Sequence, residues 1–332
     1  MSHRSTSRGA HRRAALVVTA VSSVALLAAC GGSTQPADGS GSGSDSSAKT
    51  LVFSPLGLQI PAMKQLSDGI KAYAASKGFD VIVQDPGLDA QKQVTDLQSV
   101  VQSGRADAVW AIMVQPSSAT ALVGEAQDAG VPMVLNGVPA DYGLDGLVPG
   151  VSFATIDYTA LGKAAGEALG TCINDELDGK AQVIMEESTP GTAGKEDIET
   201  AAKDALAATA PGAEIVTSVV ASERSQAQTD IGAALQGNPE VTAVLGNNDE
   251  GSLGAIGAFK AAGKELPCIV DTGGGNDESL ASVDSGDLYA VVALQFQDDM
   301  TQNVDQLASM VADPTAQGVQ LTTPQKVVTG KG

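Results

Sequence analysis

The chain predicts an α/β fold of two doubly wound lobes, and three observations carry that expectation. From about residue 50 onward, short apolar runs alternate with amphipathic stretches, the pattern of parallel sheets covered by helices on both faces. A length of 332 residues suits two domains of ordinary size. The third observation is a strand-to-helix corner, Val244-Leu245-Gly246-Asn247-Asn248-Asp249-Glu250, in which an apolar run (242–245) ends in four polar residues. Leu253, Ile256 and Phe259 follow at helical spacing, with Asp249 placed to cap the helix N-terminus. In an open α/β sheet such a corner lies at the carboxyl end of a strand, where this fold class takes its ligands. Asn248 and Asp249 can be caps only or ligand contacts. The recurrence of the same corner along the chain favours the second.

Ahead of the lobes stand Arg4, Arg8, Arg12 and Arg13, then an apolar run over 14–29. That run is short for a membrane span and right for the core of a secretory signal. It ends Leu27-Ala28-Ala29-Cys30-Gly31, which resembles a bacterial lipobox: small residues fit the signal peptidase groove and the Cys thiol accepts the lipid. Residues 1–29 are therefore expected to be a lipoprotein signal peptide and Cys30 the lipidated residue. Residues 30–49, rich in Gly and Ser, are expected to be a flexible tether holding the folded part at the outer face of the membrane. Four of the 19 basic residues lie in the leader, leaving 15 against 39 acidic ones. A polyanion such as DNA or RNA would be repelled, so no nucleic-acid partner is expected.

In the first lobe, strands are expected over 51–54, 80–84, 107–113 and 131–135, with helices over 61–76, 91–102 and 117–129. Pro61 suits a first helical turn, and Asp128-Ala129-Gly130-Val131-Pro132 reads as a helix end turning into a strand. In the second lobe, strands are expected over 182–186, 214–219, 242–245, 269–271 and 289–293. Helices over 193–208, 226–235, 251–262 and 277–283 separate them, and 297–311 is a further helix. Ligand contacts should come from the loops after strands, which singles out Gln59, Gln115 and Asn136 in the first lobe. Each of these is equally at home on a solvated loop. Trp110 lies mid-strand and is read as core.

Thr189-Pro190-Gly191-Thr192-Ala193-Gly194-Lys195 looks superficially like a phosphate loop. It fails, because position 189 is not Gly and Lys195 is followed by Glu196 rather than Ser or Thr. The two histidines, His3 and His11, are both in the leader. The rest of the chain thus has no His-based triad, metal pair or general base. Glu186 and Glu187, adjacent on a strand, point to opposite faces. No enzyme activity, cofactor or metal is expected.

Taken in order, the Asn248-Asp249-Glu250 corner, the Gly191-Thr192 segment and the crossover-like Ala154-Thr155-Ile156-Asp157 resemble ribose-type periplasmic binding proteins. These are the type I solute-binding proteins of ABC importers, and the resemblance spans about 50–328. It implies two flavodoxin-like lobes joined by a three-strand hinge. The N-terminal lobe would comprise 50–154 with 296–319, and the C-terminal lobe 155–295 with 320–332. Strand 320–328 would be the third crossing, and closure about the hinge the expected motion.

Carried over position by position, the resemblance also marks departures. Ile60-Pro61-Ala62-Met63 stands where such proteins put two stacking aromatic rings, leaving Met63 as the contact. Asn136 stands near the family's Asp-Arg pair, Glu196 in the place of a sugar-binding Arg, and Ser222 near a further stacking Phe. Asp271 or Asn276 replaces a Phe-Asp-Gly corner, and Gln295 resembles the family's Gln, offset by about one residue. Asp157 is placed either to cap the next helix or to face the cleft. In a flavodoxin-like lobe Cys172 and Cys268 both reach the end away from the cleft, making a structural disulfide feasible.

The expected function is a lipid-anchored, monomeric solute receptor that delivers a small polar solute, a sugar or polyol first, to an ABC permease. The alternative is a sensor module presenting a non-sugar metabolite, cationic if it pairs with Glu196, to a membrane sensor. A repressor sharing the two-lobe fold would need a basic DNA-binding segment where the leader stands.

Overall fold

The computed structural model describes residues 48–330. The expected signal peptide, the lipidation site Cys30 and all of the tether up to residue 47 lie outside these residues. None of the described helices is long and apolar enough to cross a membrane.

The first half runs β1 (Lys49–Ser54), α1 (Pro61–Ser76), β2 (Phe79–Val83), α2 (Ala90–Gln102), β3 (Ala108–Ala111), α3 (Thr120–Ala129), β4 (Met133–Asn136) and β5 (Val151–Thr155). The second runs α4 (Tyr158–Glu176), β6 (Lys180–Glu187), α5 (Lys195–Thr209), β7 (Gly212–Val220), α6 (Arg224–Gly237), β8 (Val241–Leu245), α7 (Asp249–Ala261), β9 (Cys268–Gly273), α8 (Asp277–Ser285) and β10 (Ala290–Leu294). The chain closes with α9 (Phe296–Ala312), β11 (Gln320–Thr322) and β12 (Gln325–Thr329).

Two six-stranded sheets result, ordered β2-β1-β3-β4-β5-β11 and β7-β6-β8-β9-β10-β12. All pairings are parallel except β12 with β10. In each sheet the order reverses beside the first strand, so switch points lie between β1 and β3 and between β6 and β8. Each sheet carries apolar cores on both faces. Leu97, Val109 and Phe153 lie on one side of the first sheet, and Phe53, Trp110 and Leu307 on the other. Trp110 is core, its ring edge-on to Phe53 at 5.3 Å. Cys172 in α4 and Cys268 at the start of β9 are disulfide-bonded, with Cα atoms 5.7 Å apart.

Two stretches differ from the sequence reading. Residues 151–155 form a full strand, β5, paired with β4 and β11, where only a crossover was expected. Stretch 320–328 is not one strand. Gln320–Thr322 joins the first sheet beside β5, and Gln325–Thr329 joins the second beside β10. Pro324 separates them, because it has no N–H to give a ladder.

The chain thus passes between the sheets three times, at 155–158, at Gln295 and at 322–325. These passages are hydrogen-bonded together: Thr323 N donates to Thr155 O at 2.9 Å and Gln295 N to Pro324 O at 2.8 Å.

Candidate functional site

At the first switch point, the loops after β1 and β3 are held by Gln93, a buried residue of α2. Its Nε2 donates to Ser54 Oγ, Pro55 O and Ile112 O at 3.0–3.2 Å, and its Oε1 accepts from Val114 N at 2.8 Å. One amide side chain therefore satisfies backbone groups of both loops. Asn136, at the end of β4, extends the clamp. Its Oδ1 accepts from Met113 N at 2.7 Å and from Tyr142 Oη at 3.2 Å. Gln59 and Gln115 are exposed on the loop tips, and Met63 is half-buried in the first turn of α1.

At the second switch point the corner after β8 is supported from below by carboxyl groups. Asn248, not Asp249, caps α7: its Oδ1 accepts from Gly251 N at 2.8 Å, and its Nδ2 donates to Ala221 O at 2.9 Å. Asp249 turns instead to the loop after β9, accepting from Gly275 N and Asn276 N at 3.1 Å. Glu186, at the end of β6, lies beneath Asn247, whose N–H donates to its Oε2 at 3.3 Å. A Cβ on Gly251 would collide with that carboxyl oxygen, so glycine is what lets Glu186 reach the helix start. Burial pushes Glu186 up to about 8, only partly countered by the Asn247 N–H.

Asp271 departs from its expected role. It is wholly buried within β9, where Ser252 Oγ donates to its Oδ1 at 3.1 Å. Burial, and then the neighbouring Asp249 carboxylate, raise its pKa well above the ordinary carboxylate range. The neutral form of Asp271 is thereby favoured, and the side chain holds the corner from behind instead of standing at its tip. The other half of that expectation also changes role, since Asn276 caps α8 through Glu278 N and Ser279 N at 2.9–3.0 Å.

Asp157 caps α4, accepting from Ala160 N at 2.8 Å, and remains exposed. Ser222 is exposed on the loop after β7. Glu196, also exposed, lines a groove between α4 and α5 with Thr159, Lys163 and Thr200. Glu167, Asp197 and Asp204 line the same groove, so its acidic groups outnumber its one lysine. Gln295 is half-buried at the second passage, its Nε2 donating to Ala293 O at 3.2 Å.

Sequence reasoning missed Gln93, Glu186 and Arg224. Arg224 bonds both oxygens of Glu250 at 2.9–3.1 Å and both of Glu278 at 2.8 Å, which fastens the first turns of α6, α7 and α8 together. A polar residue on an otherwise apolar helix face (Gln93 beside Val94, Leu97 and Val101) was the available signal for the first. For Arg224, the only basic residue between Lys203 and Lys260, the signal was a lone cation amid acidic corners.

Two doubly wound sheets, linked by three passages and presenting clamped polar loops at both switch points, define a two-lobed ligand-binding protein. The family model for the periplasmic binding protein domain matches residues 51–315, and the chain belongs to that family. It is 28% identical over 295 residues to the ribose import binding protein of Bacillus subtilis (strain 168), covering 85% of this chain and 88% of that protein. It is 32% identical over 247 residues to a protein of Rhizobium meliloti named for rhizopine binding, covering 71% of this chain and 75% of that one.

Among solved structures, an ABC transporter periplasmic solute-binding protein from Actinobacillus succinogenes 130z with bound D-allose aligns with a TM-score of 0.67 and 19% identity, over 85% of this chain and 98% of that one. A solute-binding protein from Bacillus halodurans C-125 with bound myo-inositol aligns with a TM-score of 0.63 and 20% identity, over 87% and 96%. At such identities the likeness is one of fold.

Proposed function

We propose that this protein is a solute receptor of an ABC importer that captures a sugar or polyol between its two lobes. Family membership implies an extracytoplasmic location, and Cys30 anchors the chain to the membrane by a lipid. The lobes comprise 50–154 with 296–319 and 155–295 with the C-terminal stretch, Gln320–Thr322 completing the first sheet. Gln59, Met63, Gln115 and Asn136 from one lobe, Ser222 and Asn248 from the other, and Gln295 at the second passage meet the solute. Asp157 lies at the passage between them. Closure excludes water and strengthens each of these polar contacts.

The observation that carries this reading is the 28% identity to a ribose import binding protein across most of both chains. The exposed amides of Gln59 and Gln115 on the loop tips support it. An amide can donate and accept at once, which suits vicinal hydroxyls. The test is thermal unfolding of the full chain against a panel of sugars, cyclitols and amino acids. A ligand at 100 times its dissociation constant adds about 2.7 kcal/mol, a rise of a few degrees for a protein of this size. A sugar or cyclitol is expected to give that rise. A rise with amino acids alone would overturn the sugar assignment.

A further inference from the structure

Asp249 opens α7 and joins two loops, accepting from Gly275 N and Asn276 N of the loop after β9 at 3.1 Å. Asp271 lies behind it, wholly buried in β9 and within hydrogen-bonding reach of the Asp249 carboxylate. Its Oδ1 accepts from Ser252 Oγ at 3.1 Å. Its Oδ2 is also buried and has no donor.

Two ionised carboxyls this close and this dry would repel strongly, so one proton lies between them. Asp249 keeps the charge, because two backbone N–H groups and the N-terminus of α7 favour its ionised form. The proton therefore sits on Asp271, and Oδ2 is the oxygen that gives it to Asp249. That bond accounts for a buried oxygen left without a donor of its own.

The surroundings leave the pair to itself. Asp271 points to the same side of the sheet as Ile269, towards α6, α7 and α8. The strands flanking β9, β8 and β10, carry no charged side chain, and Glu186 on β6 adds a further buried acid. Arg224 of α6 is committed to Glu250 and Glu278, and Lys260 of α7 to Asp287. Asp277, Glu278 and Asp284 of α8 are exposed.

We propose that Asp271 is a positioning residue for the solute: the proton it donates to Asp249 locks the loops after β8 and β9 together and so sets Asn248 at the cleft. This rests on the receptor function above, in which Asn248 meets the solute. When the proton leaves, two carboxylates face each other, Asp249 is driven from the Gly275 and Asn276 amides, and the corner loses its shape. Affinity is therefore full while Asp271 is protonated and falls as rising pH removes the proton.

The test is isothermal titration calorimetry of the full chain with D-ribose, D-allose and myo-inositol. At pH 6, Asp271→Ala should weaken the tightest of the three about tenfold. Asp271→Asn should recover most of that loss, because its Nδ2 donates to Asp249 while its Oδ1 accepts from Ser252. The pH profile is taken in Glu186→Gln, where the other buried carboxyl beneath the corner no longer titrates. Its affinity should fall between pH 6 and pH 9.5, and adding Asp271→Asn should level it. Hydrogen exchange without solute gives a second reading: the Gly275 and Asn276 amides should exchange faster in Asp271→Ala and near the wild-type rate in Asp271→Asn.

Equal affinities for wild type and Asp271→Ala would overturn the positioning role and leave the receptor function standing. Equal losses in Asp271→Ala and Asp271→Asn would overturn the shared proton, as would a level pH profile in Glu186→Gln. Should Asp271→Ala fail to fold, the pH profiles with and without Asp271→Asn decide the matter. Binding of none of the three by wild type would overturn the receptor reading, and the positioning role with it.

Discussion

The carboxyl of Glu186 lies beneath the corner after β8, and burial sets its charge. Its ordinary value of 4.5 is raised to about 8 in the folded protein, so folding favours the protonated form. The sign follows from linkage: the stabilisation is complete below about 4.5 and falls away as pH rises through about 8. Each intervening pH unit costs about 1.4 kcal/mol, so the whole window amounts to roughly 5 kcal/mol as an upper figure. Asp271, shifted in the same direction, adds to the slope. Chemical denaturation between pH 5 and pH 9 should therefore show stability decreasing with pH. Glu186→Gln, a neutral side chain of the same shape that can still accept from Asn247 N, should flatten the curve and exceed wild type above pH 8. An unchanged slope in the variant would mean that some other group titrates.

At the scale of elements, the tightest junction is α4 against α5. Gly162, Gly166 and Gly170 share one face of α4, and a Cβ at these positions would run into Ile198 O, Ala202 O and the Thr209 side chain respectively. The helices therefore meet backbone to backbone, and only small residues permit that approach. Gly166→Val should force them apart and destabilise the second lobe by about 3 kcal/mol. A melting temperature within a degree of wild type would show that α5 yields freely. A helix after Asp157 was legible, whereas the reason for its glycines was not, because it depends on a partner about 40 residues away. The same division holds at the site. Strand-to-helix corners could be read from apolar runs ending in polar residues, which is a local signal. Whether Asn248 or Asp249 caps, whether Asp271 faces the cleft or the core, and that Gln93 ties two loops together all depend on side-chain direction across strands. β5 was missed for a related reason: it is reached from β4 through a short 3-10 turn (Pro139–Tyr142) and loop instead of an α-helix.

For the whole molecule, the order of strands separates what holds the second lobe from what closes it. The switch-point loops gather at the carboxyl ends of β6, β8 and β9. The disulfide lies at the other end, where Cys268 begins β9 and Cys172 is near the close of α4. It joins residues 96 apart, a loop that takes in most of that lobe. Cross-linking a loop of this length removes unfolded-state entropy worth about 4–5 kcal/mol. Replacing both residues, Cys172→Ala with Cys268→Ala, should lower the unfolding midpoint substantially, and wild type in reductant should approach the same value. Affinity for the solute at 25 °C should nonetheless stay within a few fold of wild type, because the clamps at the cleft (Asn248 on α7, Asp249 on the loop after β9, Arg224 on Glu250 and Glu278) do not involve the bridge. The three passages are also independent of it, being held by Thr323 to Thr155 and Gln295 to Pro324. Calorimetric unfolding and solute titration on the same double variant separate the two effects. A stable variant that had lost affinity would mean that strain at the far end of β9 reaches the corner at its carboxyl end, and that the sheet transmits between the two.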